Sequence, residues 1–244
     1  MNLIDILKNF ARQENTDFAI LINGSWGSGK TYFLKKVVAD EIKKVNCKIS
    51  DKKTEPYELV YISLYGITSA EELQRKLFLE INPLLKSKAF KIAGGAISKI
   101  ADVFNASFSS SDERTVLNIF GGIPKSKILV FDDLERLATN TLNEVLGFIN
   151  TYTEHQNLKV IIVADEEKIK AKIDDYDNVK EKLVRFTYLF NPELRDVFPS
   201  FVKRYESQEY QHFLTSNMNR ICGLFEKGEH KNLRSLRFVL DLFE

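Results

Sequence analysis

Eight consecutive residues, Gly24, Ser25, Trp26, Gly27, Ser28, Gly29, Lys30 and Thr31, place glycines, a lysine and a hydroxyl at the spacing G-x-x-x-x-G-K-[ST]. The chemistry open to them is the capture of a phosphate chain. Glycines reach backbone angles that a Cβ forbids, so successive N–H groups can converge on one anion. The helix expected next adds the partial positive charge of its N-terminus. In such a loop Lys30 reaches the β- and γ-phosphates, the Thr31 hydroxyl binds Mg²⁺, and Tyr32 completes the expected contact set. The run Phe18–Ile22 reads as the strand that delivers the loop, and Phe33, Leu34, Val37, Val38 and Ile42 as one face of the helix that leaves it.

A phosphate loop of this kind needs an acid at the tip of a neighbouring strand. Ile128-Leu-Val-Phe131 is a continuous apolar run, as in strands covered on both faces, and Asp132 and Asp133 follow it directly. Asp132 is expected in the Mg²⁺ shell, and Asp133 is expected to orient or deprotonate the attacking water. Either could instead cap the next helix. A second run, Lys159-Val-Ile-Ile-Val-Ala164, ends in Asp165. Asp165 reads equally as a sensor of the γ-phosphate and as a cap ahead of Glu166 and Glu167. Near the chain end, Arg234 and Arg237 stand one helical turn apart and are candidates for phosphate contacts from a lid, or for a solvated face with Asp241 as ion-pair partner. Arg185 and Arg195 are candidates for a finger reaching a neighbouring subunit's site.

The elements that must position these groups are also legible. Leu3, Ile4, Leu7, Phe10 and Ala11 mark a leading helix without the order of a secretory signal. Lys43 to Lys53 reads as a lysine-rich hinge, and Glu58–Tyr65 as the second strand. Ser69 and Glu72 form a capping box for a helix that Pro83 ends. Leu142, Val145, Leu146, Ile149 and Tyr152 belong to another helix, and Val184–Phe190 to a fifth strand. The expected fold is α/β, with a central parallel five-stranded sheet of the additional-strand type and a C-terminal helical lid. Residues 1–190 form the expected core and 191–244 the lid. The apolar pattern is still running at Leu240–Glu244, so the sequence reads as an excised module whose effector region lies outside it.

Residues 84–111 form an insertion beyond a minimal core. Phe90, Ala93, Ile97, Ile100, Ala101 and Phe104 give a one-sided helix interrupted by Lys91, Lys99 and Asp102, well short of the roughly twenty apolar residues needed to span a bilayer. The reading favours a helix on the sheet edge or on another subunit over one lying on a membrane surface. The 244 residues carry 35 basic and 34 acidic side chains, so no global field points to nucleic acid. The two cysteines, Cys47 and Cys222, lack metal-ligand spacing and suit a reducing, cytoplasmic setting.

The order of parts resembles the KAP family of P-loop NTPases, among the signal-transduction ATPases. The resemblance is carried by Gly24-Ser-Trp-Gly-Ser-Gly-Lys-Thr31, similar to that family's G-x-W-G-x-G-K-[ST], by Phe131-Asp-Asp-Leu-Glu-Arg136, similar to its D-D-L-D-R, and by Asn232-Leu-Arg-Ser-Leu-Arg237, which looks like its lid motif. Glu135 stands where the family usually has aspartate. Many members carry membrane spans in the insertion, which this sequence lacks. The resemblance implies ATP, Mg²⁺ and hydrolysis used as a switch; nucleotide-dependent self-assembly or a protein partner is the expected output. Some bacterial members exclude phage, which adds defence as a context.

The function expected from all of this is slow Mg-ATP hydrolysis. The alternative is a nucleotide-gated interaction module with incidental turnover. A small-molecule kinase fits poorly with the paired carboxylates, and no [NT]-K-x-D element is present to read guanine.

Overall fold

A computed structural model describes residues 2–83, 122–173, 175–228 and 231–244. The helix expected within 84–111 lies outside the described residues. Five parallel strands form the central sheet: β1 (Ala19–Asn23), β4 (Glu58–Ser63), β5 (Lys127–Asp132), β6 (Lys159–Ala164) and β7 (Val184–Leu189). Their spatial order is β4-β5-β6-β1-β7, so β6 stands between the loop-bearing strand and the acid-bearing strand. This is the additional-strand arrangement that the sequence led us to expect. The central strands β1, β5 and β6 are apolar without alternation because helices cover both their faces. β7, at one edge, leaves Phe186 and Leu189 exposed.

Alternation along each strand divides the core in two. Ile20, Ile22, Ile128, Val130, Ile161 and Val163 pack against α1 (Leu3–Arg12) and α2. The helix α2 runs through Lys30–Phe33, a π-helical Leu34–Val38 and Ala39–Ile42. On the other face, Leu21, Leu129, Phe131, Val160 and Ile162 pack against α3 (Ala70–Ile81) and α4 (Thr139–Glu154). Two residues beyond Val130, Asp132 therefore turns to the α2 side, where Thr31 waits.

One element differs from expectation. Residues read as a lysine-rich hinge form an antiparallel hairpin, β2 (Asn46–Ser50) and β3 (Lys53–Pro56). Only Cys47 of β2 is buried, so charged side chains occupy a solvated ribbon whose strand character is set by cross-strand pairing rather than by an apolar face.

After β6 come α5 (Glu166–Lys170) and α6 (Tyr176–Leu183). After β7 come α7 (Leu194–Val202), α8 (Gln208–Ser216), α9 (Met218–Lys227) and α10 (Leu233–Asp241). These last four share an apolar cluster of their own, built on Leu194, Phe198, Leu214, Cys222, Leu233 and Leu240.

Candidate nucleotide site

The loop starts where β1 ends. Gly24 N–H donates to the Ala164 carbonyl at 3.0 Å, which extends the β1–β6 pairing by one bond before the chain turns. Gly27 and Gly29 then adopt φ of +77° and +93°, angles that L side chains rarely take. Phe33 N–H bonds the Gly29 carbonyl at 2.9 Å and opens α2. Lys30 is buried and folds back over the loop, donating to the carbonyls of Gly24 and, at 3.0 Å, Ser25. Burial lowers its ammonium's pKa, against the field of Glu135, Asp132, Asp165 and Asp133. Ser28 Oγ is buried without a hydrogen-bond partner among the described residues, and Tyr32 is exposed.

Thr31 Oγ1 donates to Asp132 Oδ2 at 2.7 Å. Burial pushes the Asp132 carboxyl up to about 6; the Thr31 bond opposes this, and the neighbouring Asp133 and Glu135 charges reinforce it. An alcohol and a carboxylate, both hard oxygen ligands on adjoining elements, fit a small divalent cation that keeps waters and phosphate oxygens in the rest of its shell. The two glycines at positive φ also fit a phosphate loop, since L side chains rarely take the angles that turn its backbone.

Asp133 sits in the left-handed region at φ +66°, where aspartate is tolerated more than most residues and where strain is often stored at functional sites. Its N–H bonds Asp132 Oδ1 at 2.8 Å. Ser63 Oγ and Arg136 Nε hold its two carboxylate oxygens at 2.8 and 3.1 Å. Neither Asp133 nor Asp165 makes a side-chain cap to the helical turn that follows it. Asp165 instead accepts Trp26 N–H at 3.3 Å, while its own N–H donates to Glu135 Oε2 at 3.2 Å. Glu135 also accepts Trp26 Nε1–H. The Trp26 ring is packed against cations, with Lys168 Nζ 3.7 Å and Arg136 4.9 Å from its centroid.

The C-terminal helices reach this loop through α10. Leu233 N–H donates to the Gly27 carbonyl at 3.0 Å, and Asn232 Oδ1 caps α10 at Arg234 N and Ser235 N. Arg234 is exposed on the first turn, and Arg237 is paired with Asp241 at 3.4 Å. Arg185 stands at the start of β7, the opposite end of the sheet from the loop, beside Asp17. Arg195 binds Asn219 at 3.1 Å. Three participants were not singled out in the sequence. Ser63 belongs to no nucleotide motif, Asn232 stands in the sequence only as the first residue of the lid-like motif, and Glu135 only as a departure from the acidic one.

The whole chain, residues 1–243, matches the model of the KAP family P-loop domain. The chain belongs to that family. This KAP domain is accordingly a P-loop NTPase domain, and Gly24–Thr31 carries its P-loop motif. No curated protein matches the sequence. Among solved structures, NtrX from Brucella abortus in complex with ATP is similar at 16% identity and a TM-score of 0.45, over 99% of this chain and 50% of that one. The KAP domain thus spans about half the length of that protein. A Walker-type ATPase of Pyrococcus abyssi is similar at 15% identity and a TM-score of 0.47, over 96% and 70%. A DNA polymerase III gamma subunit-related protein of Thermotoga maritima follows at 14% identity and 0.41, over 92% and 62%. No helix among the described residues of the KAP domain is long and apolar enough to cross a membrane.

Proposed function

We propose that this KAP domain binds Mg-ATP, hydrolyses it slowly and uses the bound state as a switch for self-assembly or for contact with a protein partner. The observation that carries the reading is the Thr31–Asp132 pair, held at 2.7 Å beside an Asp133 fixed in the left-handed region. Thr31 and Asp132 would hold the metal, and Lys30 would exchange its two loop carbonyls for phosphate oxygens. Loop N–H groups would receive the phosphates, and Asp133 would orient the attacking water or take its proton. When bound, Mg²⁺ supplies charge neutralisation on the phosphate chain. Asp165 would report the phosphate state to Trp26 through the bond they share, and Arg234 would do so from the lid. Residues 191–244 would act as that lid, and family resemblance alone suggests phage defence as the setting.

Titration with Mg-ATP and initial rates of phosphate release test this. Lys30→Ala should abolish binding, whereas Asp133→Asn should bind ATP and lose turnover. Unchanged ATP affinity in Lys30→Ala overturns the site. Solution mass with and without Mg-ATP, read on Asp133→Asn, tests the switch.

A second reading, nucleotide-gated contact with incidental turnover, is favoured by the apolar side chains the lid leaves in solvent: Phe213, Leu224, Phe238, Leu242 and Phe243. ATP-dependent assembly without phosphate release would select it.

A further inference from the structure

The end of β4 carries groups that no nucleotide motif contains. β4 pairs with β5 in parallel with Ser63 beside Asp132, and Leu64 N–H donates to the Asp132 carbonyl at 2.7 Å. Strand pairing thus brings Ser63 against Asp133, across 70 residues of sequence. The Ser63 hydroxyl accepts Tyr65 N–H at 3.3 Å and donates its single proton to Asp133 Oδ2 at 2.8 Å. The Ser63 carbonyl in turn accepts Lys76 Nζ of α3 at 2.5 Å, which anchors the strand end.

The other carboxylate oxygen has an equally constrained donor. Arg136 Nε reaches Asp133 Oδ1 at 3.1 Å, and Arg136 N–H bonds the Asp133 carbonyl at 2.9 Å. Its guanidinium lies against the rings of Trp26 and Tyr65, 4.9 Å from each centroid. Planar stacking restricts the fork of an arginine in a way that an ammonium would not be restricted. The carboxylate is therefore held from both sides while its backbone is held at φ +66°. Each oxygen keeps a second lone pair, so the group is oriented without being saturated.

Resting on the reading that Asp133 orients the attacking water, we propose that Ser63 and Arg136 are positioning residues for hydrolysis. They fix the plane of the Asp133 carboxylate from opposite oxygens, and Trp26 and Tyr65 fix the plane of Arg136. Neither residue is placed on ATP, so their effect falls on the chemical step and spares binding.

The test uses the full chain and compares ATP affinity, kcat and KM for wild type, Ser63→Ala, Ser63→Thr, Arg136→Lys, Asp133→Asn and the double variant Ser63→Ala/Asp133→Asn. Ser63→Ala should lower kcat by roughly ten- to a hundredfold with ATP affinity unchanged, the scale expected when a catalytic group is misplaced by about an ångström. Ser63→Thr retains the hydroxyl and should recover most of the rate. Arg136→Lys retains the charge, loses the Nε donor, and should lower kcat at unchanged affinity. Ser63→Ala should add nothing once Asp133 is Asn. Wild-type kcat in Ser63→Ala, with Asp133→Asn inactive, overturns the positioning role alone. Wild-type turnover in Asp133→Asn overturns the assignment of Asp133 itself. Affinity and kcat falling together in Ser63→Ala, Ser63→Thr and Arg136→Lys assigns the pair a structural role and overturns the proposal.

Discussion

Leu233 N–H donates to the carbonyl of Gly27 at 3.0 Å, so the first turn of the last helix is hydrogen-bonded to the middle of the phosphate loop. That turn depends on Asn232, whose Oδ1 accepts from Arg234 N at 2.9 Å and Ser235 N at 3.3 Å. Asn232→Ala leaves both donors without their cap, at a cost of about 1 kcal/mol. For a chain of this size we expect Tm to fall by about 2–4 °C. Amide hydrogen exchange should quicken in α10 and stay unchanged in β1 and β6. Unchanged protection in α10 would mean that the apolar cluster of the C-terminal helices, rather than the cap, holds it on the loop.

The same contact makes Gly27 sensitive for two separable reasons. An alanine there would be strained at φ +77°, and its Cβ would come within 2.0 Å of Asn232 Oδ1. Gly66, at φ +80° with no atom within 4 Å of the added Cβ, isolates the first reason. Gly66→Ala should cost about 1–2 kcal/mol from backbone strain alone. Gly27→Ala should cost more, and it alone should weaken ATP binding, because the Asn232 side chain must leave its capping position or the loop must shift. Urea midpoints and nucleotide titrations of the two variants compare these directly; equal losses would show that the Asn232 side chain gives way freely.

The nucleotide motifs and the three buried strands could be read from the sequence because each leaves a local mark, glycine spacing in one case and an unbroken apolar run in the other. Ser63 leaves none. It is one serine at a strand end, and only the pairing of β4 with β5 gives it a role beside Asp133. The β2–β3 hairpin was missed for a related reason, since a ribbon with one buried side chain shows no period-two apolar signal. The Leu233–Gly27 bond joins backbone atoms across more than four fifths of the chain, and backbone pairing of that kind has no side-chain signature at either end.

Asp132 gives the ligand-free protein a pH dependence with a definite sign. Its folded carboxyl titrates near 6, above the ordinary aspartate value. Between about pH 4 and 6 the unfolded chain releases this proton while the folded chain retains it, so the group's contribution to stability falls as pH rises. Above that window the penalty is complete, roughly 3 kcal/mol at 1.36 kcal/mol per pKa unit. Asp132→Asn removes it. Without nucleotide or metal, the variant should gain stability relative to wild type as pH increases from 4 to 6, then hold a constant advantage. Urea unfolding across that range measures the difference, in which carboxylates remote from Asp132 cancel; a difference independent of pH would mean that Asp132 titrates normally.

Glu135 closes a ring of bonds that ties the loop to the tip of β6. Its buried carboxylate accepts Trp26 Nε1–H with Oε1 and Asp165 N–H with Oε2, while Asp165 Oδ2 accepts Trp26 N–H. Both oxygens face donors, so Glu135→Gln, which preserves size, must turn an NH₂ group toward one of them. One buried donor is then left opposite another, a loss of about 1–3 kcal/mol. Trp26 is the chain's single tryptophan, so its emission reports this site without interference. We expect Glu135→Gln to lower the urea midpoint and change the emission of the folded protein. Trp26→Phe retains a ring beside Lys168 and Arg136 but removes the Nε1 donor, so stability losses in the double variant should fall short of the sum of the single ones. Strictly additive losses would show that the Trp26–Glu135 bond contributes little and that the ring is held by its two cations.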